Sequence, residues 1–384
     1  MNSATSESAV RERYSAAAEK SEPALCCPVV YDKKYLEIIP QEVIEKDYGC
    51  GDPSQYLHAG EVVLDLGSGT GKICFIAAQV VGPTGRVIGV DMTEDMLEVS
   101  RRNAPIVAQR LGFANVEFRR GRIQDLTLDL DALDEALAAL PIQGANAYLR
   151  AQDIAADLRV KKPLIADNSI DVVVSNCVLN LVDGVAKPAL FRELHRVLRK
   201  GGRAVISDIV SDEDIPVAMQ LDPLLWSGCI SGALREDEFL RAFEQAGFYG
   251  IRILRRDPQP WQIVEGIEFR SLTIEAFKGK EGPCLDYHQA VIYKGPFREV
   301  CDDDGHRFRR GERAAVCEKT YLIYQSEPYR SFFEPIPPRV EVQPETAELF
   351  DCRRSQVRHH RESKGLDYRA TIEGASSQVS TPCC

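Results

Sequence analysis

Two kinds of residue in this 384-residue sequence invite chemistry: twelve cysteines, and a glycine-rich turn at Asp65-Leu-Gly-Ser-Gly-Thr-Gly71. The cysteines make up about 3% of the chain, under the roughly 8–10% that marks a disulfide scaffold. In a reducing cytosol such thiols are catalytic, metal-binding or buried, and a cytoplasmic protein is expected. The glycines of the turn let backbone approach a ligand and leave a helix N-terminus free for an anionic group. Spacing then discriminates. A P-loop needs Ser or Thr after Gly-Lys, but Gly71-Lys72 is followed by Ile73. A dinucleotide fingerprint needs a third glycine three residues after the second, where Lys72 stands.

What remains is the Asp-x-Gly-x-Gly-x-Gly pattern of class I methyltransferases, which bind S-adenosylmethionine (SAM). Asp91 ends the next apolar run, 22 residues after Gly69, close to the roughly 20-residue offset at which an acid reaches ribose hydroxyls. Gly121-Arg-Ile-Gln-Asp125 follows a third run and offers Ile123 and Gln124 to the adenine. The expected cofactor-binding set is Asp65, Gly67, Ser68, Gly69, Asp91, Met92, Ile123, Gln124 and Asn176.

These residues need a sheet to position them. Short apolar runs at 62–66, 86–90, 116–119, 170–176 and 204–209 alternate with helix-period segments at 73–81, 94–111, 186–198 and 236–246, which predicts α/β architecture. The fold class expected is a Rossmann-like class I methyltransferase sheet with helices on both faces and a smaller β-rich C-terminal domain. Segments 251–254 and 267–277 predict a closing antiparallel pair, and Pro105 predicts a kink or break in its helix. The boundaries expected are an N-terminal arm and cap helix over 1–47, with a helix at 35–46 despite Pro40, and a SAM-binding domain over 48–235. Within it, 127–166 reads as an insertion, in which Leu130, Leu133, Leu137 and Leu140 predict one amphipathic helix before Pro141. A continuation of that domain follows over 236–280, then the small domain over 281–350, with β-like segments at 289–293 and 321–324. A disordered tail is expected over 351–384.

Five segments, in order, give a sharper resemblance: Tyr48-Gly-Cys50-Gly, the glycine turn, Val90-Asp-Met-Thr93, Ser175-Asn-Cys177-Val, and Trp226-Ser-Gly-Cys229-Ile-Ser-Gly-Ala-Leu234. From Arg11 to Tyr324 the chain resembles the arsenite methyltransferases. The resemblance implies that Cys50, Cys177 and Cys229 ligate trivalent arsenic, a soft ion for which sulfur is the natural donor. It implies arsenite and methylarsenite as substrates and attack by the arsenic lone pair on the SAM methyl carbon. No proton leaves such a nucleophile, so positioning supplies most of the rate. It further implies return of arsenic to the trivalent state by oxidation of thiols, with Cys26 or Cys27 pairing with Cys50, and thioredoxin or glutathione as the thiol reductant.

The other cysteines take plainer readings. Cys74 falls in an apolar helix and reads as core. Cys284, Cys301, Cys317 and Cys352 form no Cys-x-x-Cys pair, and His288 and His306 lack zinc-finger spacing, so no structural zinc is expected. Cys383 and Cys384 end the tail. A net charge of −11 provides no basic field for nucleic acid, and no apolar run reaches the roughly 18 residues that span a membrane. With no apolar leader in the first 20 residues, a soluble, non-secreted monomer is expected. Two other functions fit the same motifs: a methyltransferase of a small organic acceptor, and a non-catalytic arsenite-binding protein.

Overall fold

The computed structural model describes residues 3–20, 22, 29–138, 143–352 and 357–364. Cys26, Cys27, Leu140, Pro141, Cys383 and Cys384 lie outside them. The chain divides into two units, Met1–Gly279 and Lys280–Cys384.

The first unit is built on β1 (Val62–Leu66), whose apolar side chains are almost wholly buried from Val63 onward. Burial of each such side chain contributes about 1.5–3 kcal/mol. β2 (Arg86–Asp91) and β3 (Val116–Arg120) lie in parallel on one side of β1, and β4 (Ile170–Asn176) and β5 (Leu198–Ser211) on the other. β6 (Leu234–Arg235) adds a short parallel bridge to β5. β7 (Tyr249–Arg256), β8 (Gln262–Val264) and β9 (Ile267–Phe277) close the sheet in antiparallel fashion, giving the order β3-β2-β1-β4-β5-β9-β7 with β6 and β8 off this path. The order reverses at β1, so β1 and β4 leave a crevice at their C-terminal ends, where open α/β sheets bind ligands.

Helices supply the remaining layers, and several differ from expectation. The arm contains a 17-residue helix, α1 (Ser3–Glu19), which buries Ala17 and Ala18 beside Tyr48 and Met96. The expected 35–46 helix is split into α2 (Lys33–Leu36) and α3 (Gln41–Glu45), because Pro40 takes an extended ψ of 141° and caps the second piece. α4 (Lys72–Val81) starts at the glycine turn. α5 (Glu94–Leu111) runs unbroken through Pro105 and stops at left-handed Gly112. The insertion forms two helices instead of one, α6 (Leu130–Ala138) and α7 (Ala145–Lys161). Ion pairs Arg101–Asp131 at 2.7 Å and Arg159–Asp125 at 2.9 Å tie it to the unit. α8 (Lys187–Val197) passes directly into β5, earlier than the expected strand start at residue 204. α9 (Val217–Gln220), α10 (Pro223–Ser227) and α11 (Glu236–Gln245) complete the unit.

The second unit is β-rich. β10 (Leu285–Asp286) precedes β11 (Ala290–Tyr293), a hairpin of β12 (Glu299–Cys301) and β13 (Arg307–Arg309), then β14 (Arg313–Ala315). The expected strand at 321–324 is instead the end of α12 (Glu318–Ile323) and its cap; the tyrosines fit a helical face as readily as a strand, and Tyr324 stacks on Phe333 at 4.3 Å. β15 (Phe333–Ile336) completes the three-stranded sheet β14-β11-β15, and β16 (Glu348–Leu349) pairs with β10. The expected disorder from 351 is corrected in part. Residues 357–364 include α13 (His360–Lys364), and Arg358 is buried against Asp286 at 2.8 and 3.0 Å.

Candidate functional site

The turn after β1 is shaped by its backbone. Gly67 adopts φ +68, and any side chain there would strike Val178. The amides of Gly67 and Ser68 donate to the Val90 carbonyl at 2.8 and 3.0 Å, which locks the turn to the end of β2. Asp91 accepts from the Gly69 amide at 2.9 Å and from the Thr93 amide at 2.8 Å, holding its carboxylate at the crevice. Asp65 is buried, its carboxyl pushed up to about 8 by desolvation, and accepts from the Cys74 thiol at 3.2 Å. Ser68 Oγ is buried in the wall without a hydrogen-bond partner. One cleft is bordered by all nine residues expected to hold the cofactor, and by Cys177.

Cys177, which borders that cleft, has two further thiols near it. Cys50 lies on a loop pinned by Asn176, whose Oδ1 accepts from the Cys50 and Gly51 amides at 2.9 and 3.0 Å and whose Nδ2 donates to the Gly51 carbonyl at 2.8 Å. Cys177 directly follows β4 and Cys229 follows α10. Both have left-handed backbone, φ +64 and +62, a region where a side chain with Cβ is strained by about 1–2 kcal/mol. Glycine would relieve that strain, so the fold retains it together with the sulfur. The sulfurs of Cys50 and Cys177 and a carboxylate oxygen of Asp208 lie within 4.8 Å of one another. The Cys229 sulfur stands outside that group. Its thiol donates to the Cys177 carbonyl at 3.2 Å and lies 4.0 Å from Tyr14 Oη. All three cysteines nevertheless share one buried cluster with Ile209 and Phe269.

Four residues that the sequence reading passed over complete the site. Asp208 accepts from the Leu179 and Ile209 amides, each at 2.8 Å, and burial pushes its carboxyl up to about 6. Lys187, pushed down to about 8 by burial, donates to the Gly232 carbonyl in the Cys229 loop. An acid in the middle of an otherwise apolar strand run was the available signal for Asp208. Tyr14 and Arg13 come from α1. Arg13 donates to the Leu224 carbonyl and to Ser227 Oγ, both at 3.0 Å, while Glu7 at the other end pairs with Arg122 at 2.7 Å. Glu7, Val10 and Tyr14 thus wall the cleft. Cys74 is core, as expected.

Comparison with known proteins fits this geometry. A family model described as a methyltransferase domain matches residues 57–145 and 142–247, and one described as a domain of unknown function matches 280–368. The arsenite methyltransferase of Aquipseudomonas alcaligenes is 34% identical over 316 residues, covering 79% of this chain and 80% of that protein. The human arsenite methyltransferase is 28% identical over 314 residues, covering 78% and 74%. Among solved structures, an arsenic(III) S-adenosylmethionine methyltransferase from Chlamydomonas reinhardtii is 30% identical with a TM-score of 0.54, covering 85% of this chain and all of that one.

Proposed function

The chain belongs to the arsenite methyltransferase family and methylates trivalent arsenic from SAM, and we propose that Cys50, Cys177 and Cys229 are the thiols that hold the arsenic. The observation that carries the assignment is that one cleft is bordered by the glycine turn, by Asp91 and by Cys177. The residues present fit SAM. The buried Ser68 hydroxyl lacks a partner, the carboxylate of Asp91 suits ribose hydroxyls, and Ile123 and Gln124 offer a surface for adenine. SAM supplies a methyl group carried on a sulfonium sulfur.

Arsenite binds by exchange: three As–O bonds break, three As–S bonds form, and each thiol proton leaves with a hydroxyl as water. For this, Cys229 turns away from the Cys177 carbonyl toward the other two sulfurs. The neutral arsenic retains its lone pair, so the methyl-transfer step needs no general base, and alignment over the cleft provides most of its rate. Asp208, beside Cys50 and Cys177, is placed to take a thiol proton and pass it to a departing hydroxyl. After transfer, a further thiol attacks one arsenic-bound cysteine sulfur: an S–S bond forms, the As–S bond breaks leaving its electron pair on arsenic, which returns to the trivalent state, and the thiol proton goes to solvent. Cys50 with Cys26 or Cys27 is the pair proposed, and thioredoxin or glutathione returns it to thiols. The proposal places a monomer in the cytoplasm; among the described residues no helix is long and apolar enough to cross a membrane.

The test is incubation with arsenite, SAM and a thiol reductant, followed by arsenic speciation. Methylated arsenicals are expected from the unaltered chain and none from Cys177→Ser or Cys229→Ser, with SAM binding retained in both. Full activity in either variant overturns the ligand assignment. Replacing Cys26 and Cys27 together should spare turnover that starts from methylarsenite; loss of that turnover overturns their redox role.

A further inference from the structure

The C-terminal unit gathers a second set of thiols from three separate pieces of chain. The sulfurs of Cys284, Cys317 and Cys352 lie within 4.8 Å of one another. Cys284 stands just before β10, and its carbonyl accepts from the Phe350 amide at 2.8 Å, which brings Cys352 alongside two residues later. Cys317 caps α12 with ordinary backbone, φ −70, and its sulfur lies 3.4 Å from Thr320 Oγ1. Beyond Cys352 the chain is fastened back by the buried Arg358–Asp286 pair, so the arrangement does not depend on β16 alone. Cys317 is buried and the other two are half-buried, which leaves the cluster open to a solute.

The donor set selects the ligand. Three sulfurs favour soft ions. A structural zinc site takes four ligands, and among the described residues no fourth thiol, imidazole or carboxylate joins these three. The stretch just after Cys352 is Arg353-Arg-Ser-Gln356, which supplies none either. The surroundings are Ala315 and Phe350, an apolar setting that penalises the net negative charge of a zinc ion on three thiolates. A trivalent ion on three thiolates is neutral.

We propose that Cys284, Cys317 and Cys352 form a three-thiol site that captures arsenite in the C-terminal unit. Three As–O bonds are exchanged for three As–S bonds, the thiol protons depart with the hydroxyls as three waters, and arsenic remains trivalent, so no oxidant or reductant takes part. The thiol geometry is independent of the methylation chemistry; the choice of arsenite among trivalent thiophiles rests on the family's substrate.

The test uses the full chain with Cys50, Cys177 and Cys229 all changed to serine, reduced with a phosphine and titrated with sodium arsenite. X-ray absorption is expected to show arsenic bound by three sulfurs. Adding Cys284→Ser or Cys352→Ser should each weaken binding by more than the roughly 10- to 100-fold that loss of a supporting residue costs at a metal site. A second measurement needs no substitution: arsenite should protect Cys284, Cys317 and Cys352 of the unaltered chain from alkylation, read by mass spectrometry. Unchanged affinity in both serine variants, absence of protection, or a tightly held zinc that arsenite does not displace overturns the proposal. Failure of methylation with three-sulfur binding intact removes the reading of the first unit and leaves this one standing.

Discussion

The two thiol clusters share a ligand chemistry and differ in almost everything around it. In the first unit, Cys177 and Cys229 sit on left-handed backbone, flanked by Asp208 and near Lys187, both buried. In the second, none of the three cysteines has positive φ and their neighbours are alanine, phenylalanine and the uncharged Thr320. Strain and buried charge are costs that a fold keeps where bonds are made and broken. An unstrained apolar pocket suits a group that only has to be held. On the roles proposed above, the contrast separates reacting from retaining, although both clusters consist of the same side chain.

The contrast can be broken in several ways. Cys177→Ser has the largest expected effect: methylation falls by about 10⁵-fold, the lower end of what positioning supplies, measured as single-turnover product formation. Arg358→Ala removes the guanidinium from the buried Asp286 carboxylate and should lower the stability of the second unit by about 3–5 kcal/mol, seen in denaturant melts and in faster alkylation of Cys317. The third prediction concerns pH. Asp208 has a folded pKa of about 6, above its ordinary 3.8, so the folded chain holds this proton more tightly than the unfolded chain does. The stability it contributes is therefore full below about pH 4, and is lost as pH rises to about 6. Asp208→Asn should remove that slope, worth on the order of 3 kcal/mol, so the difference between the two melting curves changes across this window and is flat above it. The smallest effect concerns strain alone: Cys229→Gly should be more stable than Cys229→Ala by about 1 kcal/mol, with both inactive. Equal stability of the two would remove strain from the comparison.

The parts of the fold fixed by local rules were legible in the sequence. The apolar runs of β1 to β5 and the glycine turn follow from side-chain type and spacing, and the cofactor set inferred from them borders one cleft. Where two local rules competed, the reading failed. At Pro40 the helical period yielded to the missing amide, and at 321–324 a run too short to show its period was assigned to the wrong element. The convergence of Cys284, Cys317 and Cys352 was not readable at all, because it depends on pairing between β10 and β16, which are two residues each and 62 residues apart. The ordered stretch at 357–364 was missed for the same reason: its anchor, Arg358, finds its acid 72 residues away.

Helix α1 is fastened at two places, through Glu7 to Arg122, next to Ile123 of the cleft, and through Tyr14 and Arg13 to the Cys229 loop and the helix before it. Its docking free energy is therefore shared property of the two substrates. A ligand at one place that favours the docked helix raises affinity at the other, and thermodynamic linkage makes the factor identical in either direction. Order of addition cannot alter that factor, and shortening the helix should abolish it while each ligand alone still binds.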